Sequence, residues 1–323
     1  MAVYTEVADD DLARFVASYG FGEVVSCKGI AEGVENTNYL VETVAGRFIL
    51  TLYERRVARA DLPFFLSLME HLARAGIDCP TPLHDLDGAN LRELNGRPAA
   101  LVTYLDGLSV RRPQPHHCGA AGEALARLHL AGRGFALRRA NALGPAGWRP
   151  LFDRFAADAD RVQPGLAGTI ARELDDILPR WPRDLPAGVI HADLFPDNVF
   201  FRGNRVSGLI DFYFACDDAF AYDLAVCLNA WCFEPDFAFN ITKGRALIAG
   251  YQRIRRLEAR EADALVVMAR GAALRFLLTR AYDWLHTPRD ALVKPHDPNA
   301  YLRRLRFHQR VSSPGEFGLE AAP

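Results

Sequence analysis

His191-Ala192-Asp193-Leu194-Phe195-Pro196-Asp197-Asn198, with Leu209-Ile210-Asp211-Phe212 further along, is the stretch on which the reading of this chain turns. It sets carboxylates and an amide between short apolar runs. Val199-Phe200-Phe201 reads as a strand leaving the loop, and 206–210 as a second strand that would bring Asp211 back beside Asn198. Pro196 stiffens the turn between them.

These residue types at this spacing suit one kind of chemistry. A phosphoryl group in transfer needs little covalent help, so the protein's work is to position it and cancel negative charge. Asp193 would act as catalytic base, accepting a hydrogen bond from the attacking hydroxyl. Oxygens of Asn198 and Asp211 would hold Mg2+, a hard cation that prefers oxygen and bridges ATP phosphates. Protein kinases use H-R-D-x-x-x-x-N followed by D-F-G for the same purposes, and Asp193 and Asn198 keep the five-residue offset. A lone H-x-D would read more simply as a polar turn between buried strands. The whole set, with I-D-F downstream, favours a phosphotransfer site, leaving Asp197 as a solvated turn residue.

Composition narrows the classes. The chain has 323 residues, half of them hydrophobic, with a net charge of −2, enough for two lobes and a sizeable core. Nothing in that balance draws it to nucleic acid or an anionic membrane, so a small-molecule substrate is expected. The start lacks the basic and apolar segments of a signal peptide, and no apolar run is long enough to span a bilayer. The six cysteines are scattered without a C-x-x-C pair, which points to a reducing cytoplasm and away from zinc or a disulfide framework. Lysine occurs only at positions 28, 243 and 294.

Working outward, 9–19 reads as an amphipathic helix, 24–30 and 38–43 as strands, and 48–53 as a third. Asp61 is expected to cap, and Pro63 to start, a helix whose apolar residues recur until Gly76. Two strands follow, near 91–94 and 99–104. Three strands, a helix and two strands make the small lobe of a protein-kinase-like α+β fold. Leu105-Asp106-Gly107 would be its hinge, with Thr103 and Leu105 as candidate nucleotide contacts. Beyond it the chain turns mainly helical, at 119–129, 148–157, 166–178, 222–232, 242–254, 261–286 and 299–309. The domains expected are therefore a nucleotide-binding lobe over 1–104, a catalytic and substrate lobe over 105–311, and a loose tail over 312–323.

The phosphate-binding parts are less regular. A kinase folds a glycine-rich loop over the phosphates because backbone N–H groups approach closely only where side chains are absent. This chain offers Gly33, with Asn36 and Thr37 as polar contacts, although a plain hairpin loop would read the same way. On the third strand, Leu50 or Thr51 stands where a phosphate-gripping lysine is expected, opposite Glu70 on the next helix. Lys28, Arg47 and Arg55 are the nearby cations that could compensate.

In the large lobe, Asp223 begins an apolar helix and would accept hydrogen bonds from the backbone around His191. Arg275, Arg280 and Asp283 share one long helix with aromatic neighbours. They read either as its wet face or as a substrate site in which an arginine holds a carboxylate by two prongs. Tyr213, Phe214, Trp231, Phe233 and Trp284 could instead form a cage for a quaternary amine.

With these residues placed, the chain resembles the homoserine kinases of the aminoglycoside-phosphotransferase-like superfamily, which are distinct from homoserine kinases built on the GHMP fold. The resemblance spans nearly the whole chain. It is sharpest over Gly33-Val34-Glu35-Asn36-Thr37-Asn38-Tyr39, Phe48-Ile49-Leu50-Thr51-Leu52-Tyr53-Glu54, Leu62-Pro63-Phe64-Phe65-Leu66 and the stretch 191–199. It implies that Asp193 is the catalytic base and that Asn198 and Asp211 bind magnesium. It also implies ATP-dependent phosphorylation of the side-chain hydroxyl of L-homoserine, an early step of threonine synthesis. Superfamily relatives act on choline, ethanolamine, hydroxylysine, methylthioribose or aminoglycosides, so the motif fixes the reaction better than the acceptor. The absent lysine leaves a nucleotide-binding pseudokinase as the reading from another class.

Overall fold

The computed structural model describes residues 5–30, 36–54, 57–288 and 294–320. It divides into two compact units, Met1–Asp106 and Gly107–Pro323.

In the first unit, helix α1 (Asp9–Ala17) precedes strands β1 (Val24–Gly29), β2 (Thr37–Thr43) and β3 (Gly46–Leu52). Helix α2 (Leu62–Arg74) and strands β4 (Arg92–Leu94) and β5 (Arg97–Thr103) follow. The strands form one antiparallel sheet in the order β1-β2-β3-β5-β4, so the element order expected for a kinase-like small lobe is present. The period-two pattern of a half-buried strand is plain in β2, where Thr37, Tyr39, Val41 and Thr43 are buried and Glu42 between them is exposed. Leu12, Phe15, Val16 and Tyr19 cover this face, meeting Tyr39, Val41, Leu50, Leu52, Leu94 and Leu101 in a single cluster. Each such side chain withdrawn from water contributes about 1.5–3 kcal/mol.

Helix α2 buries Leu62, Phe65, Leu66, Met69 and Leu72, residues three and four apart, and Pro63 lies in its first turn. Asp61 does not cap it. A 3-10 turn over Arg59–Asp61 leads into the helix, leaving Asp61 itself in helical conformation with no side-chain cap bond.

The second unit contains β6 (Leu108–Ser109), α3 (Pro115–Ala131), α4 (Pro145–Asp153), α5 (Leu166–Ile177), β7 (Ala187–Ile190), β8 (Val199–Arg202), β9 (Arg205–Leu209) and β10 (Cys216–Ala219). Helices α6 (Phe220–Trp231), α7 (Ile241–Ile254), α8 (Ala259–His286) and α9 (Asn299–His308) complete it. Two small sheets, β10-β7 and β6-β8-β9, frame the loops of interest. Helices α3 and α7 touch backbone to backbone. A Cβ added at Gly122 would lie 2.1 Å from the Leu247 carbonyl oxygen, and one at Gly250 2.0 Å from that of Gly119.

The chain end is not loose where the sequence suggested. Residues Pro314–Phe317 form a 3-10 turn closed by a reciprocal Ser313–Glu316 cap. Phe317 is fully buried, its ring 5.6 Å from Phe239 and 5.5 Å from His308. All six cysteines are free, and five of them are buried. No helix among the described residues is long and apolar enough to cross a membrane.

Candidate active site

The loop from β7 to β8 is built around a buried carboxylate. Asp223, near the start of α6, accepts the His191 backbone N–H at 2.7 Å and the Ala192 N–H at 2.8 Å. His129 of α3 reaches the same carboxylate through Nε2 at 3.0 Å. Burial alone would push the Asp223 carboxyl upward. The His129 contact and the backbone donors outweigh it and hold the group below its ordinary value. Burial lowers His129, so it stays neutral, giving Nε2–H to Asp223 and accepting the Tyr251 hydroxyl at Nδ1, 2.8 Å away. Tyr251 in turn accepts from Arg255 at 3.1 Å, and Arg255 pairs with buried Glu261 at 2.9 Å.

These bonds keep an unfavourable backbone in place. Ala192 has φ of 62° and Asp211 φ of 63°, the left-handed region that costs a non-glycine residue roughly 1 kcal/mol or more. His191 Nε2 faces the Ile210 carbonyl at 3.0 Å while Nδ1 accepts the Asp193 N–H at 3.3 Å. That pattern fixes a neutral ring protonated on Nε2, in keeping with burial lowering its basicity.

The same loop carries Asp193 and Asn198, and β9 returns the backbone before Asp211 to it. Asn198 gives its amide Nδ2–H to the Asp193 backbone carbonyl at 2.8 Å, and its own carbonyl accepts the Ile210 N–H at 3.0 Å. Asp211 follows directly. With Nδ2 committed, Asn198 is left with its side-chain oxygen, and this oxygen and the Asp211 carboxylate are both hard-oxygen groups of the kind a divalent cation takes. Among the described residues no cluster of three or more His, Cys, Asp or Glu forms a metal site from the protein alone. Asp197 is exposed.

Arg275, buried on α8, directs Nη1 at Asp193 Oδ1 from 3.6 Å and rests its plane on the Phe276 ring at 3.8 Å. Burial pushes the Asp193 carboxyl up to about 6, with Arg275 pulling the other way. Arg280 stacks over the Tyr301 ring at 4.5 Å. Asp283 is half-buried one turn further along α8. Trp231 is fully buried with its indole N–H on the Leu194 carbonyl, whereas Trp284 is exposed. They therefore do not share the aromatic cage considered from sequence.

In the first unit, Asn36 and Thr37 are buried and tie the start of β2 to Glu54. Asn36 Oδ1 accepts the Glu54 N–H at 3.3 Å, and the Thr37 hydroxyl donates to the Glu54 carboxylate at 2.9 Å. Thr51 donates to Asn38 Oδ1 at 2.8 Å. Glu70 accepts from Asn90 at 2.8 Å and contacts His84 at 2.9 Å. Lys28 is exposed on β1, Arg47 pairs with Asp106 at 3.1 Å, and the Thr103 hydroxyl accepts the Thr81 N–H at 2.9 Å. Leu105 is half-buried. Gly33 and Arg55 lie outside the described residues. His129, which the motif and its spacing do not reach, had only one signal: a histidine within the apolar turn Leu125-Ala126-Arg127-Leu128-His129.

A model of the APH phosphotransferase enzyme family matches residues 26–257. This chain belongs to that family. Over 99% of this phosphotransferase, the homoserine kinase of Bradyrhizobium diazoefficiens is 61% identical, with 98% of that protein covered. The homoserine kinase of a Chelativorans species is 59% identical over the full length of both chains. Among solved structures, amicoumacin kinase hAmiN, in complex with AMP-PNP, Ca2+ and Ami, superposes on the phosphotransferase with a TM-score of 0.70 over 93% of each chain, at 13% identity. Choline kinase of Cryptosporidium parvum gives 0.64 over 88% of each, at 15% identity. At such identities the likeness is one of fold, and it is the kinase-like α+β fold expected from the sequence.

Proposed function

We propose that this phosphotransferase is an ATP-dependent homoserine kinase that places the γ-phosphoryl group on the side-chain hydroxyl of L-homoserine, a step toward threonine. The observation that carries the proposal is identity of about 60% over the full length to proteins named homoserine kinase, and the spacing of Asp193, Asn198 and Asp211 in the sequence supports it.

Asp193 orients the acceptor hydroxyl and takes its proton as the oxygen bonds to the γ-phosphorus and the bond to the ADP oxygen breaks. Asn198 and Asp211 would hold Mg2+, which when bound supplies positive charge against the phosphates. His191 and Asp223 act on the loop and not on the substrate, fixing the direction in which Asp193 points. Arg275 keeps Asp193 ionisable despite its burial. Lys28, Thr103 and Leu105 remain the nucleotide-side candidates, with Asn36 and Thr37 tied to Glu54 and Glu70 held by Asn90 and His84. The free thiols favour a reducing cytoplasm.

The test is magnesium-dependent ADP release with a panel of L-homoserine, choline, ethanolamine and hydroxylysine. Turnover should be greatest with L-homoserine. Preference for choline or hydroxylysine would replace the acceptor, and no turnover of any acceptor would favour a nucleotide-binding pseudokinase.

A further inference from the structure

Behind Asp193 stand three arginines with few anions to answer them. Arg275 is committed, its guanidinium on Asp193 and its plane on Phe276. Arg280 of α8 and Arg304 of α9 both lie 4.5 Å from the centroid of the Tyr301 ring. Among the described residues, neither has a carboxylate within salt-bridge distance. Stacking uses the face of a guanidinium and leaves the N–H donors in its plane unspent. Arg304 Nε is buried without a hydrogen-bond partner, and so is the hydroxyl of Tyr301, a side chain with no exposed surface.

A buried phenol and a buried guanidinium N–H with nothing to bond each carry an uncompensated desolvation cost. Like charges packed this closely add to it. Burial lowers the basicity of Arg280, and Arg304 and Arg275 lower it further, with only Asp193 and Tyr301 acting against them. A purely structural stack of arginines on tyrosine would explain the ring contacts but not the unspent donors. An anion arriving between α8 and α9 would satisfy both at once.

We propose that Arg280, Arg304 and Tyr301 form the pocket that grips the carboxylate of the acceptor, Tyr301 donating its hydroxyl and the arginines their in-plane N–H groups. The assignment rests on the amino-acid acceptor proposed above. The cations of this region then divide their work, Arg275 serving the base while Arg280 and Arg304 choose substrates that carry a carboxylate. Arg304 and Tyr301 thereby join the site from α9, a helix that no motif in the sequence connects to it.

The experiment compares kcat/KM for L-homoserine with that for 3-aminopropan-1-ol, which is homoserine without its carboxylate. It also measures inhibition by L-2-aminobutyrate, which keeps the carboxylate and lacks the hydroxyl. In the unaltered protein the preference for L-homoserine should be large. Arg304→Gln and Arg280→Gln should each cut that preference by about 100-fold, a loss of the size seen when one partner of a buried charge pair is removed, mainly through KM. Both should weaken L-2-aminobutyrate in parallel, Arg304→Lys should recover part of the loss, and Tyr301→Phe should lose less than either arginine variant. If the arginine variants keep the preference, or raise the KM of ATP in its place, the carboxylate pocket is overturned while the kinase reading stands. If the unaltered protein binds L-2-aminobutyrate and fails to phosphorylate L-homoserine, the acceptor reading falls and the pocket stands.

Discussion

Asp193 combines a role that needs a charge with a location that opposes one. Its carboxyl is raised to about 6, against about 3.9 in an unfolded chain. Between pH 4 and 6 the folded protein therefore keeps a proton that the unfolded chain has released. Stability tied to this group is present below pH 4, declines as pH rises through 6, and stays lost above it. Asp193→Asn should abolish turnover by three orders of magnitude or more. At pH 8 the same variant should be more stable than the parent by on the order of 2 kcal/mol, as read from urea midpoints at pH 4 and pH 8. Arg275 works in the opposite direction, so Arg275→Met should move the acidic limb of the kcat/KM profile upward, and an unmoved limb would deny it that role. The loop that carries Asp193 and Asn198 and the return strand before Asp211 were legible because short apolar runs bracket them. His129 and Tyr301 were not, since their chemistry arises only where helices distant in sequence meet.

Among the elements, the seam between α3 and α7 is the least tolerant of added volume. With Leu247 O 2.1 Å from where a Cβ would sit, Gly122→Ala cannot be absorbed by a side-chain rotation. The two backbones must separate, at a cost of about 3 kcal/mol. A fall in urea midpoint with unchanged m-value would show it. Apolar periodicity located α2, α6, α7 and α8 to within a few residues, since a buried stripe leaves a strong pattern in the sequence. The Asp61 cap failed for a local reason, because the 3-10 turn before α2 already holds that residue in helical conformation. The end of the chain was misread for another. Ser313-Pro314-Gly315-Glu316 has the composition of a loop, yet its serine and glutamate at capping-box spacing close a turn.

At the level of the whole molecule, that turn anchors the last described residues. Phe317 closes a ring cluster with Phe239 and His308. Phe317→Ala should therefore lower stability by about 3–5 kcal/mol, measured by thermal or urea unfolding of the full chain. An effect below about 1 kcal/mol would mean the terminal residues only lean on the surface. Composition and charge had already set the class of the molecule, and the kinase-like order of the first unit and the helices of the second could be read, whereas the short strands β6, β7 and β10 could not. What a linear reading missed was the wiring. Glu261, Arg255, Tyr251 and His129 lead without interruption to Asp223 and so to the backbone that aims Asp193. A fault introduced at the far end of that wire, at a residue that touches no substrate, would misdirect the proton acceptor long before the protein melted. Loss of turnover on mild heating is then an early warning of damage elsewhere in the same unit.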